Sequence, residues 1–214
     1  MRFRARHAIL VLLLASVSVL AQASKPAGES SSKPHAKARE NAASDPGTIA
    51  DGVYRNPSLS LSYKIPFGWV DRTSDMREGS ELGKAMVLLA VFERPPEAQA
   101  EGINPAVVMV AESTSSYPDL KTAADYFGPI TELATANSFT VDNPPYDFPV
   151  GAKHLVRGDF VKEKDSASVR QTSLVFLQKS WIVSLTFIGT GDDEIDELLG
   201  RLSFQGPSVN RSSK

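Results

Sequence analysis

Histidine is a scarce source of chemistry in this chain, with three in 214 residues. His7 and His35 fall in the N-terminal region, so only His154 could serve a folded site. A serine hydrolase would need that histidine beside an activated serine, and no G-x-S-x-G elbow occurs. There is no H-E-x-x-H helix and no ligand spacing suited to zinc. Cysteine is absent, which removes thiol nucleophiles, redox exchange and thiolate metal sites. His154 therefore reads as a strand residue without a catalytic companion.

Carboxylates are the remaining candidates. Asp192, Asp193, Glu194, Asp196 and Glu197 form a dense cluster. It lacks the alternating oxygen ligands and central glycine of a calcium loop, whereas acids in a first helical turn complement the helix dipole. Asp71, Asp75, Glu78 and Glu81 read as a solvated loop or helix start. Two carboxylates could hydrolyse a glycoside only if the fold brought them together, which spacing does not decide. Gly79–Lys84 lacks the full phosphate-loop pattern. No residue is assigned to catalysis, a cofactor or a metal.

Aromatic side chains offer a different kind of site. Tyr54, Phe67, Trp69, Tyr146, Phe148 and Trp181 could line a groove for a peptide or an apolar ligand, since Trp and Tyr are common interface anchors. A core of this size also needs aromatic residues. Trp69, Trp181, Tyr146 and Phe148 are the candidate binding-surface residues.

The elements that must position them are mostly strands. Leu59, Leu61, Tyr63 and Ile65 alternate with Ser60, Ser62 and Lys64, a period of two. Pro66-Phe67-Gly68-Trp69 then turns the chain. Met86–Phe92 and Ala106–Ala111 are continuous apolar runs, as in strands buried on both faces. A Pro-rich loop, Glu93 to Pro105, separates them. Leu120, Ala123, Ala124, Phe127, Ile130 and Ala134 recur at helical spacing, with Pro118 in the first turn and Gly128-Pro129 kinking or splitting the helix. After a Pro-rich turn over Asn143–Pro149, Lys153–Lys162, Ser168–Gln178 and Ser180–Gly189 form an antiparallel meander with hairpin connections. Gly191–Leu199 is a final helix, with Thr190 and Asp193 spaced as a capping box.

The termini carry an address. Arg2, Arg4 and Arg6 precede the apolar stretch Ile9–Leu20 and the small-x-small sequence Ala21-Gln22-Ala23, so residues 1–23 read as a secretory signal peptide cleaved near Ser24. Residues 24–48 are rich in Ser, Ala, Lys, Pro and Gly and read as a disordered linker. One domain over residues 49–206 follows, and 207–214 form a frayed tail. The product is expected to be exported, periplasmic or extracellular, without stable membrane insertion after cleavage. Between Pro46 and Gly206 stand 14 basic and 22 acidic residues, a net of −8, which disfavours nucleic acid as a partner.

The run Tyr63-Lys64-Ile65-Pro66-Phe67-Gly68-Trp69, a central helix, an antiparallel meander and a helix leading into Leu202-Ser203-Phe204 together resemble the Mog1/PsbP-like superfamily, including its bacterial secreted members. The resemblance covers about Gly52–Phe204. It implies an α+β fold, a three-layer α/β/α sandwich around a mainly antiparallel sheet. It also implies a non-enzymatic role, because relatives are auxiliary subunits, regulators of a partner or secretion chaperones, with no shared catalytic residues. A lipid-anchor cysteine, found in lipoprotein members, is missing here. The first reading is thus a non-catalytic exported protein-binding or assembly module with a protein partner. A carrier of a small apolar or lipid-like ligand and a carboxylate-dependent hydrolase are the alternatives, and the oligomeric state is open.

Overall fold

Two consecutive apolar strands form the middle of the molecule because their residues need no solvent face. In a computed structural model that describes residues 45–78, 85–95, 98, 102–164 and 167–205, β5 (Ala85–Phe92) and β6 (Ala106–Ser113) lie side by side and are buried on both faces. Around them runs a seven-stranded sheet in the order β4-β5-β6-β10-β9-β8-β7, antiparallel at every junction. Its other strands are β4 (Val70–Asp71), β7 (Thr140–Val150), β8 (Lys153–Lys164), β9 (Ala167–Gln178) and β10 (Trp181–Gly189). A four-stranded sheet, β1-β2-β3-β11, is built from β1 (Thr48–Ala50), β2 (Val53–Asn56), β3 (Leu61–Lys64) and β11 (Leu202–Phe204).

The mostly antiparallel α+β class agrees with the sequence reading, but the layers are more mixed than a helical coat on each face. One face of the large sheet packs on the small sheet and on α3 (Asp192–Gly200), with Tyr54, Leu61, Tyr63, Met109, Leu174, Phe187, Ile195 and Leu198 in one apolar cluster. The other face carries Tyr126, Phe127, Ile130 and Ala134 from a 3₁₀ turn (Ala123–Tyr126) and α2 (Phe127–Ala136). Beside them α1 (Thr73–Glu78) contributes Met76 over Val87, Ala90 and Val110. Strand β5 would present a bare edge past β4, and α1 covers it. Arg72 N–H donates to Ala90 O at 2.8 Å, Ala90 N–H donates to Thr73 Oγ1 at 3.0 Å, and Arg77 Nε donates to Val87 O at 2.6 Å. Backbone groups that could recruit a second sheet are thereby satisfied.

Several sequence expectations are corrected. The predicted turn over Asn143–Pro149 is the body of β7, an edge strand, so the meander has four strands. Proline is tolerated there because an edge strand has one unpaired side. Register shifts between Val141 and Asn143 and between Asn143 and Tyr146 leave Pro144 and Pro145 outside the ladder. Strand β3 starts at Leu61, because Asn56 caps a 3₁₀ turn over Pro57–Leu59 by accepting Leu59 N–H at 3.0 Å. The helix signalled from Leu120 is divided, as Gly128-Pro129 suggests. A 3₁₀ turn comes first, and α2 then holds Pro129 in its first turn, where no intrahelical N–H is needed. Pro118 lies in a turn before the helix rather than in it. At α3 the partner of Thr190 is Glu194, one residue beyond Asp193: its carboxylate accepts both Thr190 N–H at 2.6 Å and Thr190 Oγ1–H at 2.9 Å.

Asp45–Gly47, left in the linker by composition, bond to the domain. Asn56 Nδ2 donates to Asp45 O at 3.0 Å and Tyr54 Oη to Pro46 O at 3.2 Å. The residues read as a signal peptide (1–23), as a linker (up to 44) and as a tail (207–214) lie outside the described residues, as does Glu81. Among the described residues no helix is long and apolar enough to cross a membrane.

Candidate functional site

Strand β7 alternates Tyr146 and Phe148 with Asp147 and Pro149, and its pairing with β8 sets Tyr146 opposite Arg157 and Phe148 opposite Leu155. Directly opposed residues share a face of a sheet, so Tyr146, Phe148 and Arg157 come together. The two rings meet edge to face, 6.4 Å apart at 87°. The Arg157 guanidinium lies 5.1 Å from the Phe148 centroid and 5.9 Å from that of Tyr146, so one cation serves both ring faces. Phe148 is half-buried against the core, while Tyr146 keeps 40% of its surface exposed.

A buried carboxylate holds this arrangement. Asp159, 7% exposed, accepts from Arg157 Nε at 2.9 Å and from Thr172 Oγ1 at 2.6 Å through Oδ1. Its Oδ2 accepts from Asn143 Nδ2 at 3.3 Å and from Tyr146 Oη at 3.4 Å. Asp159 therefore fixes the guanidinium that stacks on the rings and reaches the outermost ring itself. Burial, and then the nearby Asp159 charge, push the Tyr146 hydroxyl above its ordinary pKa. Arg157 and Asp159 carry no sequence signal of their own. Their roles follow from the two-residue period of β8, readable only once Tyr146 is placed on a neighbouring strand.

The four sequence-selected aromatics do not form one groove. Tyr146 and Phe148 are neighbours. Trp181 opens β10 opposite Ser113 and Gln178, half-buried against the core, with its indole N–H buried and without a hydrogen-bond partner among the described residues. Trp69 stands just before β4, at the opposite edge of the sheet from β7, and packs on the same core. Tyr54 is a core residue, whereas Phe67 is fully exposed.

Several of the other chemical candidates have partners. His154 is exposed, at 73% of its side chain, and its one hydrogen-bond partner among the described residues is Asp147, at 3.1 Å. Of the acidic cluster, Asp192 pairs with Arg170 at 3.3 Å, Glu194 accepts from Thr190 just ahead of α3 and Glu197 pairs with Arg201 at 2.6 Å. Buried Glu112 accepts from Tyr117 Oη at 2.6 Å and Tyr126 Oη at 2.7 Å, which ties the 114–126 connection to β6. An open groove of about 690 Å³ runs between α2 and β7, lined by Phe127, Gly128, Thr131, Thr135 and Pro145 among others.

No family model and no curated protein matches this chain. Solved structures do. Cyanobacterial PsbP (CyanoP) of Synechocystis is 12% identical at a TM-score of 0.46, over 74% of this chain and 96% of that one. The Ran-binding protein Mog1p of Saccharomyces cerevisiae is 10% identical at 0.41, over 68% and 90%. LpqN, involved in cell envelope biogenesis of Mycobacterium tuberculosis, is 11% identical at 0.37, over 76% and 87%. A Bacteroides thetaiotaomicron structure matches 70% of this chain at 9% identity and a TM-score of 0.34, and this chain spans 46% of that one. Mog1 and PsbP, the superfamily that the sequence resembles, are thus among the proteins matched, each at a TM-score below 0.5.

Proposed function

We propose that this chain is a non-catalytic, exported protein-binding or assembly module, and that its partner docks on the face formed by Tyr146, Phe148 and Arg157. The observation that carries the reading is the exposed Tyr146 ring, held in place by Phe148, Arg157 and buried Asp159. An aromatic ring already fixed in the free protein loses little freedom on binding, and such residues dominate interface energies. Export rests on the signal peptide of residues 1–23, and a role for His154 in hydrolysis is disfavoured by its exposed pairing with Asp147.

Affinity capture from the exported fraction tests the proposal, using wild type, Tyr146→Ala and His154→Ala, each confirmed as folded. The expected result is a partner recovered with wild type and His154→Ala and depleted with Tyr146→Ala. If His154→Ala abolishes the biological activity while Tyr146→Ala leaves it intact, the chain is not the binding module described here.

A further inference from the structure

One carboxylate of α3 stands near the Tyr146 ring with no partner among the described residues. Helix α3 and strand β7 pack on the same apolar cluster, through Ile195 and Leu198 of the helix and Phe148 of the strand. Arg170 of β9 ties the two together: its Nη1 donates to Asp142 Oδ2 of β7 at 2.7 Å, and its Nε lies 3.3 Å from Asp192 Oδ1 of α3. Asp192, Asp193 and Glu194 fill the first turn of α3, where the helix dipole favours anions. Asp196 lies beyond that turn, exposed, with like charges four and three residues before it at Asp192 and Asp193. Such pairs repel on a helix surface. Among the described residues no hydrogen bond or ion pair offsets the repulsion, because the nearby arginines are engaged. Arg170 serves Asp142 and Asp192, Arg157 is held by Asp159 at 2.9 Å, and Arg201 by Glu197 at 2.6 Å. Asp196 is still within electrostatic reach of the ring: burial, then the Asp159 charge and, more weakly, the Asp196 charge raise the Tyr146 hydroxyl above its ordinary pKa.

We propose that the Tyr146 face takes a basic, partly apolar segment of a partner protein, with a lysine or arginine of that segment set between the Tyr146 ring and Asp196. The inference rests on the reading of this face as the docking surface and adds the chemistry of what docks there. A cation is attracted both to the face of an aromatic ring and to a carboxylate. Tyr146, 40% exposed, offers the first, and exposed Asp196 offers the second. Half-buried Phe148 lies edge to face with Tyr146 and gives the apolar side chains of the segment a surface to cover. Asp142, Asp192 and Asp193, all exposed, share the single cation of Arg170 and extend the negative field on this side. A field of that sign steers a basic partner in and repels phosphate backbones and anionic lipid surfaces.

The test is an NMR titration of the exported chain with two synthetic peptides of equal length, one alternating Lys with Leu and the other Glu with Leu. The Lys–Leu peptide should shift amides of β7 around Tyr146 and of α3 around Asp196, and the Glu–Leu peptide should not. Asp196→Asn should weaken the Lys–Leu peptide about threefold, the effect of one exposed ion pair. Asp51→Asn makes the same change of charge in the turn between β1 and β2, on the far side of the small sheet from β11, and should leave the affinity nearly unchanged. Raising the salt from about 50 to 200 mM should weaken the binding. Equal shifts with both peptides, shifts confined to other surfaces, or equal losses for Asp196→Asn and Asp51→Asn would each overturn the proposal. So would the same shifts appearing without peptide as the chain is concentrated, which would place a second copy on this face. None of these results touches docking at Tyr146 itself, because an uncharged partner can use the same ring. Capture with Tyr146→Ala decides that separately.

Discussion

Replacing Asp159 with alanine tests the physical basis of the candidate site. The substitution strands Arg157, whose side chain is 16% exposed, without its carboxylate, and removes the acceptor for buried Thr172. Removing one member of a buried ion pair costs about 3–5 kcal/mol, and the residual exposure of Arg157 puts this case near the lower end, at about 3 kcal/mol. For a domain of this size each kcal/mol lowers the melting temperature by about 2–4 °C, so the midpoint should fall by roughly 6–12 °C. Denaturant titration should show the same loss as a lower midpoint with an unchanged slope. If the cost comes from the stranded cation, Arg157→Met combined with Asp159→Ala should be more stable than Asp159→Ala alone. A single-variant loss below about 1 kcal/mol, or a double variant no better than the single, would refute the reasoning.

All five tyrosines are held above the ordinary value, in each case chiefly by burial. A folded pKa above the unfolded one keeps its stabilisation below about pH 10 and loses it as pH rises towards the folded value. Absorbance at 295 nm should therefore rise later than for free tyrosine, exposed Tyr146 ionising ahead of the buried Tyr54, Tyr63 and Tyr126, which follow unfolding; a simple titration of all five near the free value would contradict the burial. Gly158→Ala places a Cβ 2.5 Å from Phe127 Cε1 and should cost about 1–3 kcal/mol by overpacking, with part recovered by Phe127→Leu. Independent additive losses, measured by thermal denaturation, would show that the two residues are not in conflict. A mature chain trimmed to begin at Thr48 loses the Asp45 and Pro46 carbonyls that accept from Asn56 and Tyr54, and should be about 1–2 kcal/mol less stable than one beginning at Ser44. Equal melting curves for the two would return Asp45–Gly47 to the linker.

Apolar continuity was legible wherever it was unbroken. The runs at β5 and β6, the alternation before Trp69 and the three strands after Lys153 appear in the fold within a few residues of their sequence limits. Strand β7 was not, because Pro144, Pro145 and Pro149 look like turn residues and only the position at a sheet edge makes them acceptable. That one hidden strand concealed the site. Tyr146 and Phe148 could be named from their type, but their juxtaposition with Arg157 and Asp159 depends on register across β7, β8 and β9, a long-range property. Trp69 and Trp181 illustrate the converse, since an aromatic residue after a turn serves a core edge as readily as a surface.

Hydrogen exchange on the complex with the captured partner tests the central claim most directly. Amides of β7, Thr140–Val150, and of the facing part of β8 around Arg157 should gain protection on binding, and Tyr146→Ala should erase that gain while leaving exchange elsewhere in the free protein unchanged. Protection confined to other surfaces, with β7 exchanging at the same rate free and bound, would contradict the assignment of the interaction face.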